Sequence, residues 1–146
     1  MEYQLDMSMM FAMHDALRRE LVQVARIGRR TGNHPGQLLR AALGWELFKK
    51  FLLVHHQAED DTLWPALIDA SLTEQQWQHF AQVHTERIRG DASLYMPWLL
   101  NGASPQMLDA ILGKFPPPLL AAFREEWGPR YAGLDVWNAT GLKTKA

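Results

Sequence analysis

Two stretches of this chain place apolar residues every three or four positions, and the second run ends in residues that are not apolar. Leu38, Ala41, Trp45, Phe48, Leu52, His55 and Glu59 keep an unbroken 3-4-3-4 spacing. Met7, Met10, His14, Leu17, Leu21 and Val24 keep the same spacing earlier in the chain. Such spacing gathers each set on one side of an α-helix, and that side is expected to face a core. The pattern predicts a first helix from Leu5 to Arg30 and a second from Gln37 toward Asp60, which Pro65 bends or ends. Between them, Thr31-Gly32-Asn33-His34-Pro35-Gly36 is a dense turn signal, with Gly suited to close one helix and Pro to open the next.

Shorter elements come after these. Thr73 with Gln76 forms a capping box that opens a helix through Trp77, Phe80, His84 and Ile88, closed by Gly90. Leu94 to Leu100 is a short apolar segment, and Ser104-Pro105 starts a helix that carries Met107 to Leu112. Pro116-Pro117-Pro118 breaks the chain, and a last helix, Leu119 to Trp127, is expected to stop at Gly128-Pro129. The remainder, with Trp137, reads as an extended tail. No segment alternates as a strand does, so the fold class is all-α.

The polar end of the second seam carries the candidate chemistry. Burying His55 and Glu59 costs free energy unless something pairs with them, and a metal ion would satisfy both. The short connection predicts an antiparallel hairpin, in which residues at one height have numbers of constant sum. The mean of 14 and 55 falls beside the turn at Asn33 and His34, so His14 and His55 share a level about 30 Å from that turn. Glu59 lies one turn beyond His55 on the same face. Neutral imidazole and carboxylate suit iron, manganese or zinc. His56 points about 100° away from His55 and is a candidate outer ligand or a partner of the ligands. Asp15 and Asp60 are candidates for orienting them. Trp64, Trp77, Phe80 and Trp98 read as packing residues.

Composition removes competitors. The chain has 146 residues and no cysteine, so thiolate sites and disulfides are excluded and any metal must sit on His, Asp and Glu. A formal charge of −1, with Lys and Arg dispersed, gives no nucleic-acid footprint. No apolar run approaches the ~18 residues of a membrane span. The acidic start, Met1-Glu2-Tyr3-Gln4-Leu5-Asp6, does not read as a signal peptide, so a cytoplasmic location is expected.

Met13-His14-Asp15-Ala16-Leu17-Arg18, followed by His55-His56-Gln57-Ala58-Glu59-Asp60-Asp61-Thr62-Leu63-Trp64-Pro65, resembles the hemerythrin-like, HHE cation-binding family. The resemblance implies a four-helix bundle around a non-haem di-iron centre, with His14, His55 and Glu59 as ligands and O2, peroxide or nitric oxide as the small molecule handled. After Pro65 the family's second His-x-x-x-Glu is missing: Ala121 and Ala122 stand four residues before Glu125 and Glu126. The region from Leu72 through Met96-Pro97-Trp98 to the three prolines resembles the C-terminal extension of actinobacterial-type members. On that alignment the third and fourth bundle helices are absent. Residues 1–66 would be a hairpin with the metal ligands, and 67–146 a helical extension in the same compact domain. Two copies would then complete the bundle as a homodimer, since closed two-fold pairing is the commonest route to an oligomer. Two alternatives stand beside it: a monomer with a mononuclear site that uses His84, and a metal-free helical interaction module.

Overall fold

The computed structural model describes residues 4–30, 34–60, 70 and 72–138; the side chains of 28–30, 57–60 and 138 lie outside the description. The expected bend at Pro65, Trp64 and the turn at 31–33 therefore lie outside the described residues. Every regular element among the described residues is helical. Helix α1 spans Ser8–Arg30, α2 Pro35–Asp60, α3 Glu74–Ile88, α4 Ala92–Leu100, α5 Pro105–Leu112, α6 Pro117–Ala122 and α7 Gly128–Gly133. A 3-10 turn, Arg89–Asp91, joins α3 to α4; a π turn, Phe123–Trp127, joins α6 to α7; and a second 3-10 turn spans Val136–Asn138. No described helix is long and apolar enough to cross a membrane.

Local signals account for most starts. Thr73 accepts from the Gln76 N–H while the Gln76 side chain accepts from the Thr73 N–H, so the capping box is complete. Ser104 accepts from the Met107 N–H, with Pro105 in the first turn. Helix α1 begins at Ser8 and not at Leu5, because Asp6 takes both the backbone N–H and the hydroxyl of Ser8. Leu5 and Met7, freed from the helix, pack with Trp77, whose indole donates to the Asp6 carbonyl at 3.2 Å. The Lys114 ammonium closes on the Asp6 carboxylate from just beyond α5. Burial pushes that carboxyl up, but Lys114 and Ser8 outweigh it and hold its pKa at about 2.

The core is built around α4. Its apolar run is buried from Tyr95 through Leu100, with no polar side for solvent. Ala12 and Ala16 bring α1 close to it, flanked by Met13 and Leu17. Leu47, Phe48 and Phe51 come from α2, and the Phe51 ring packs on Tyr95 and Trp98 with centres 5.1 and 4.5 Å apart. Arg19 donates to the Leu99 carbonyl at 2.6 Å, tying α1 to the C-terminal end of α4.

Two expectations are corrected, at Gly128-Pro129 and at Trp137. Gly128-Pro129 does not end the last helix. A proline lacks the N–H and clashes with the carbonyl four residues before it. Here the Gly128 N–H reaches back five residues to the Phe123 carbonyl, and the widened π turn lets the chain continue as α7. Near Gly90 the helix does stop as expected, α3 ending at Ile88, and one 3-10 turn leads on into α4. Trp137 is not on an extended tail: it is buried, and it lies across Gly44 of α2. A Cβ at Gly44 would stand 2.5 Å from Cε2 and 2.7 Å from Cε3 of that indole, so only glycine leaves room. The Trp137 Nε1–H donates to the buried carboxylate of Glu20 on α1 at 2.7 Å, so one side chain ties both long helices together.

Candidate metal centre

Helix α1 carries His14 and helix α2 carries His55 at the level the hairpin geometry predicts, and their rings meet. The ring centres are 4.9 Å apart and the planes are nearly perpendicular, at 84°. Both residues are half-buried. Two imidazoles bound to one ion through nitrogens at about 2.1 Å, roughly a right angle apart, have centres about 5 Å apart, so the pair fits neighbouring positions on one metal. The same spacing is also that of an ordinary edge-to-face ring pair.

The other candidates are placed less centrally. His56 is exposed, its ring centre 6.3 Å from that of His55, on the solvent flank of α2. Glu59 lies on α2 one turn past His55, and its side chain is outside the described residues, as is that of Asp60. Asp15 pairs with Arg18 at 2.8 Å on the solvent side of α1 and does not brace His14. His84 belongs to α3, stacked on Phe80 and edge-on to Tyr95, with ring centres 6.2 and 6.5 Å away. Among the described residues, no group of three or more metal-ligating side chains is gathered. Of the alternative mononuclear set His14, His55, Glu59 and His84, the three histidines are described and are not gathered as a group of three, and the Glu59 side chain lies outside the described residues.

The surroundings of the pair are soft and apolar. Met13, next to His14, accepts a long contact of 3.5 Å from the buried Tyr95 hydroxyl, whose pKa burial pushes up. Burial, with Arg87 beside it, pushes the His84 pKa down, and its Nδ1 is buried with no hydrogen-bond partner among the described residues. A buried carboxyl group lies elsewhere, at Glu20 on α1. Glu20 is pushed up by burial, opposed by the Trp137 hydrogen bond, by the nearby Trp98 indole and by Arg19. The Trp98 N–H approaches without completing a hydrogen bond. Sequence reading missed this cluster, although Met13, Ala16 and Glu20 share a helical face that could have marked Glu20 as inward.

The seams themselves are only half covered. The chain buries Gly44, Leu47, Phe48 and Phe51 of α2, a direction about 80° around the helix from the seam axis. Trp45 and Leu38, both seam positions, stay 45% and 46% exposed, and Leu21 on α1 is 55% exposed. Within one chain the seam residues Met7, Leu17 and Phe48 are buried, and Leu21, Leu38 and Trp45 are left open. Helix α2 is apolar on more than one side, and the C-terminal half takes the neighbouring side.

No family model, no curated protein and no solved structure matches this chain.

Proposed function

We propose that this protein is a hemerythrin-like non-haem di-iron protein whose site is shared between two copies of the chain and which binds or reacts with O2, peroxide or nitric oxide. The contact between the His14 and His55 rings is the observation that carries the reading. Two half-buried imidazoles from facing helices, with a carboxylate residue one turn on, suit iron, and manganese or zinc by the same chemistry. One chain offers too few ligands for two ions. A second copy doubles His14, His55 and Glu59 to four histidines and two carboxylates. It would also cover the open seam residues Leu21, Leu38 and Trp45.

When bound, iron supplies an electron-rich centre with open positions for a small oxidant or diatomic molecule. The chain's own residues do the rest. His14 and His55 present their rings at one height, and Met13, Leu17 and Phe51 beside them anchor that part of both helices in the core. Two-fold symmetry makes the two ions equivalent, which favours redox handling or sensing over reversible O2 carriage.

The test is metal analysis with solution mass after expression in iron-supplemented medium. About one iron per chain in a particle of dimer mass is expected, lost in His14→Ala and His55→Ala but kept in His84→Ala. A well-folded protein that takes up no iron, manganese or zinc would sink the reading. That result would leave the metal-free helical interaction module, which the exposed Leu39 and Leu53 outside the seam favour.

A further inference from the structure

We propose that the turn carrying Trp137 is a latch across the two long helices, closed while the Glu20 carboxyl is protonated and opening more often once that carboxyl is charged. The latch needs no iron, so it stands apart from the site proposed above.

The closed latch is held at a few points. Helix α7 ends at Gly133, and the chain then crosses to α2, where Val136 and Trp137 are buried. The indole fills the notch that Gly44 leaves on α2, and its Nε1–H reaches Glu20 on α1 at 2.7 Å. Asp135 adds an ion pair with Arg40 of α2 at 3.4 Å, but the Arg40 side chain is exposed, so the pair contributes little. The backbone works against these anchors. Asp135 and Trp137 have φ of 44° and 67°, the left-handed region, which is strained for residues that carry a Cβ. A bulky residue stays there only because its surroundings hold it. The turn is therefore strained when closed, and the seating of one indole offsets that strain.

Glu20 makes the seating sensitive to charge. Its side chain is buried, and among the described residues its one completed hydrogen bond comes from Trp137, since the Trp98 indole stops short. A carboxylate has room for about four. Arg19, next to Glu20 on α1, has turned its guanidinium to the Leu99 carbonyl. A charged group so sparsely bonded is poorly solvated, and moving the indole aside lets water reach it. The neighbouring groups do not reverse this balance. Arg19 favours the charge less than burial opposes it. Tyr131 of α7 is kept a neutral phenol by burial and by Glu20 itself. Helix α4 faces the carboxyl with the Trp98 indole, which does not titrate, and Arg40 of α2 is paired with Asp135. Burial thus raises the closed-state pKa above the ordinary 4.5. The closed form holds more protons than the open one above that pH, and closure weakens as pH rises through the closed-state value.

Hydrogen exchange of the Trp137 indole N–H, followed by NMR on the purified full chain, reads the latch directly. Trp137→Phe identifies its signal among the six tryptophans. Dividing the rate by that of free indole at the same pH leaves the opening constant. That constant is expected to rise at least about threefold between pH 5 and pH 7.5. It should stay level over this range in Glu20→Gln, which keeps an acceptor for the indole. It should also exceed the opening constant of the Leu99 amide in the buried centre of α4. Equal constants at the indole and at Leu99 would mean that Trp137 leaves only when the whole chain unfolds, and would overturn the latch. A constant that does not rise with pH, or rises equally in Glu20→Gln, overturns the coupling to Glu20. Should Glu20→Gln fail to fold, the native chain labelled with 5-fluorotryptophan supplies the test. Its Trp137 fluorine signal should move toward that of free fluorotryptophan from pH 5 to pH 7.5, and a signal fixed over that range overturns the proposal.

Discussion

Replacing Gly44 by alanine probes the contact that joins the C-terminal turn to both long helices. Alanine is ordinarily welcome in a helix interior, where it gains about 1 kcal/mol over glycine. Here the new methyl would overlap the Trp137 indole, at 2.5 Å from Cε2. Overpacking of this kind costs about 1–3 kcal/mol. Moving the ring also breaks its hydrogen bond to the buried Glu20 carboxylate, worth about 1.5–3 kcal/mol for a charged acceptor. The net expectation is a loss of about 2–4 kcal/mol. At ~2.1 cal/mol/K per residue the unfolding entropy of this chain is about 0.3 kcal/mol/K, so Tm should fall by roughly 7–13 °C. Urea denaturation followed by far-ultraviolet circular dichroism measures the change directly. The decisive comparison is the same substitution in a Trp137→Gly background, where glycine sits easily at the φ of +67° that Trp137 adopts. With the ring gone, alanine at 44 should stabilise by up to about 1 kcal/mol. An equal cost in both backgrounds, or a cost under about 0.5 kcal/mol in the native one, would refute the close packing as its cause.

Three further outcomes are expected from the buried groups and the π turn. Glu20 has a raised folded pKa, so its folded form holds more protons than the unfolded chain above about pH 4.5, and stability is lost as pH rises through the folded value. Glu20→Gln keeps an acceptor for Trp137 and should match or exceed the native protein at pH 7.5, with the gain vanishing near pH 4; a loss above about 1 kcal/mol at pH 7.5 contradicts this. His84 has a lowered pKa, so the unfolded chain takes up the proton first and stability falls as pH drops below about 6.5. His84→Phe, which also removes the unpaired Nδ1, should flatten that fall in urea midpoints measured between pH 7.5 and pH 5. Deleting Glu125, an exposed residue of the π turn, should cost as much in Tm as Trp137→Gly, although no buried side chain is removed.

What was legible in the chain divides along the range of the signal. The capping box at Thr73 and the Ser104-Pro105 start are settled within four residues, and both appear as expected. The juxtaposition of His14 and His55 was readable because a short turn fixes the levels of a hairpin. The direction of burial was not. Periodicity shows that a stripe on α2 is apolar, but Gly44, Leu47 and Phe51 beside it make a second apolar side, and only the position of α4 decides between them. Trp137 was misplaced for a related reason: nothing periodic surrounds it, and its partners Gly44 and Glu20 are about a hundred residues away in sequence. A lone glycine inside a helical run was the one available hint of a close approach. The stop at Gly128-Pro129 was read from a rule about proline that assumes α-helical bonding. The π turn changes that bonding, and no short motif announces it.

The π turn has a consequence for phase. A helix that bonds over five residues accommodates one residue more per turn than its α-helical surroundings. Every residue after Trp127 is therefore advanced relative to a regular continuation of α6. Removing a single residue there would rotate α7 and the turn at Val136–Asn138 by about 100° and draw them back by about 1.5 Å. Trp137 would then leave the notch at Gly44 and lose Glu20. The extra residue in an exposed turn is thus what brings a distant indole into register with two helices it does not adjoin in sequence. Length at that point is as strictly constrained as identity is at Gly44.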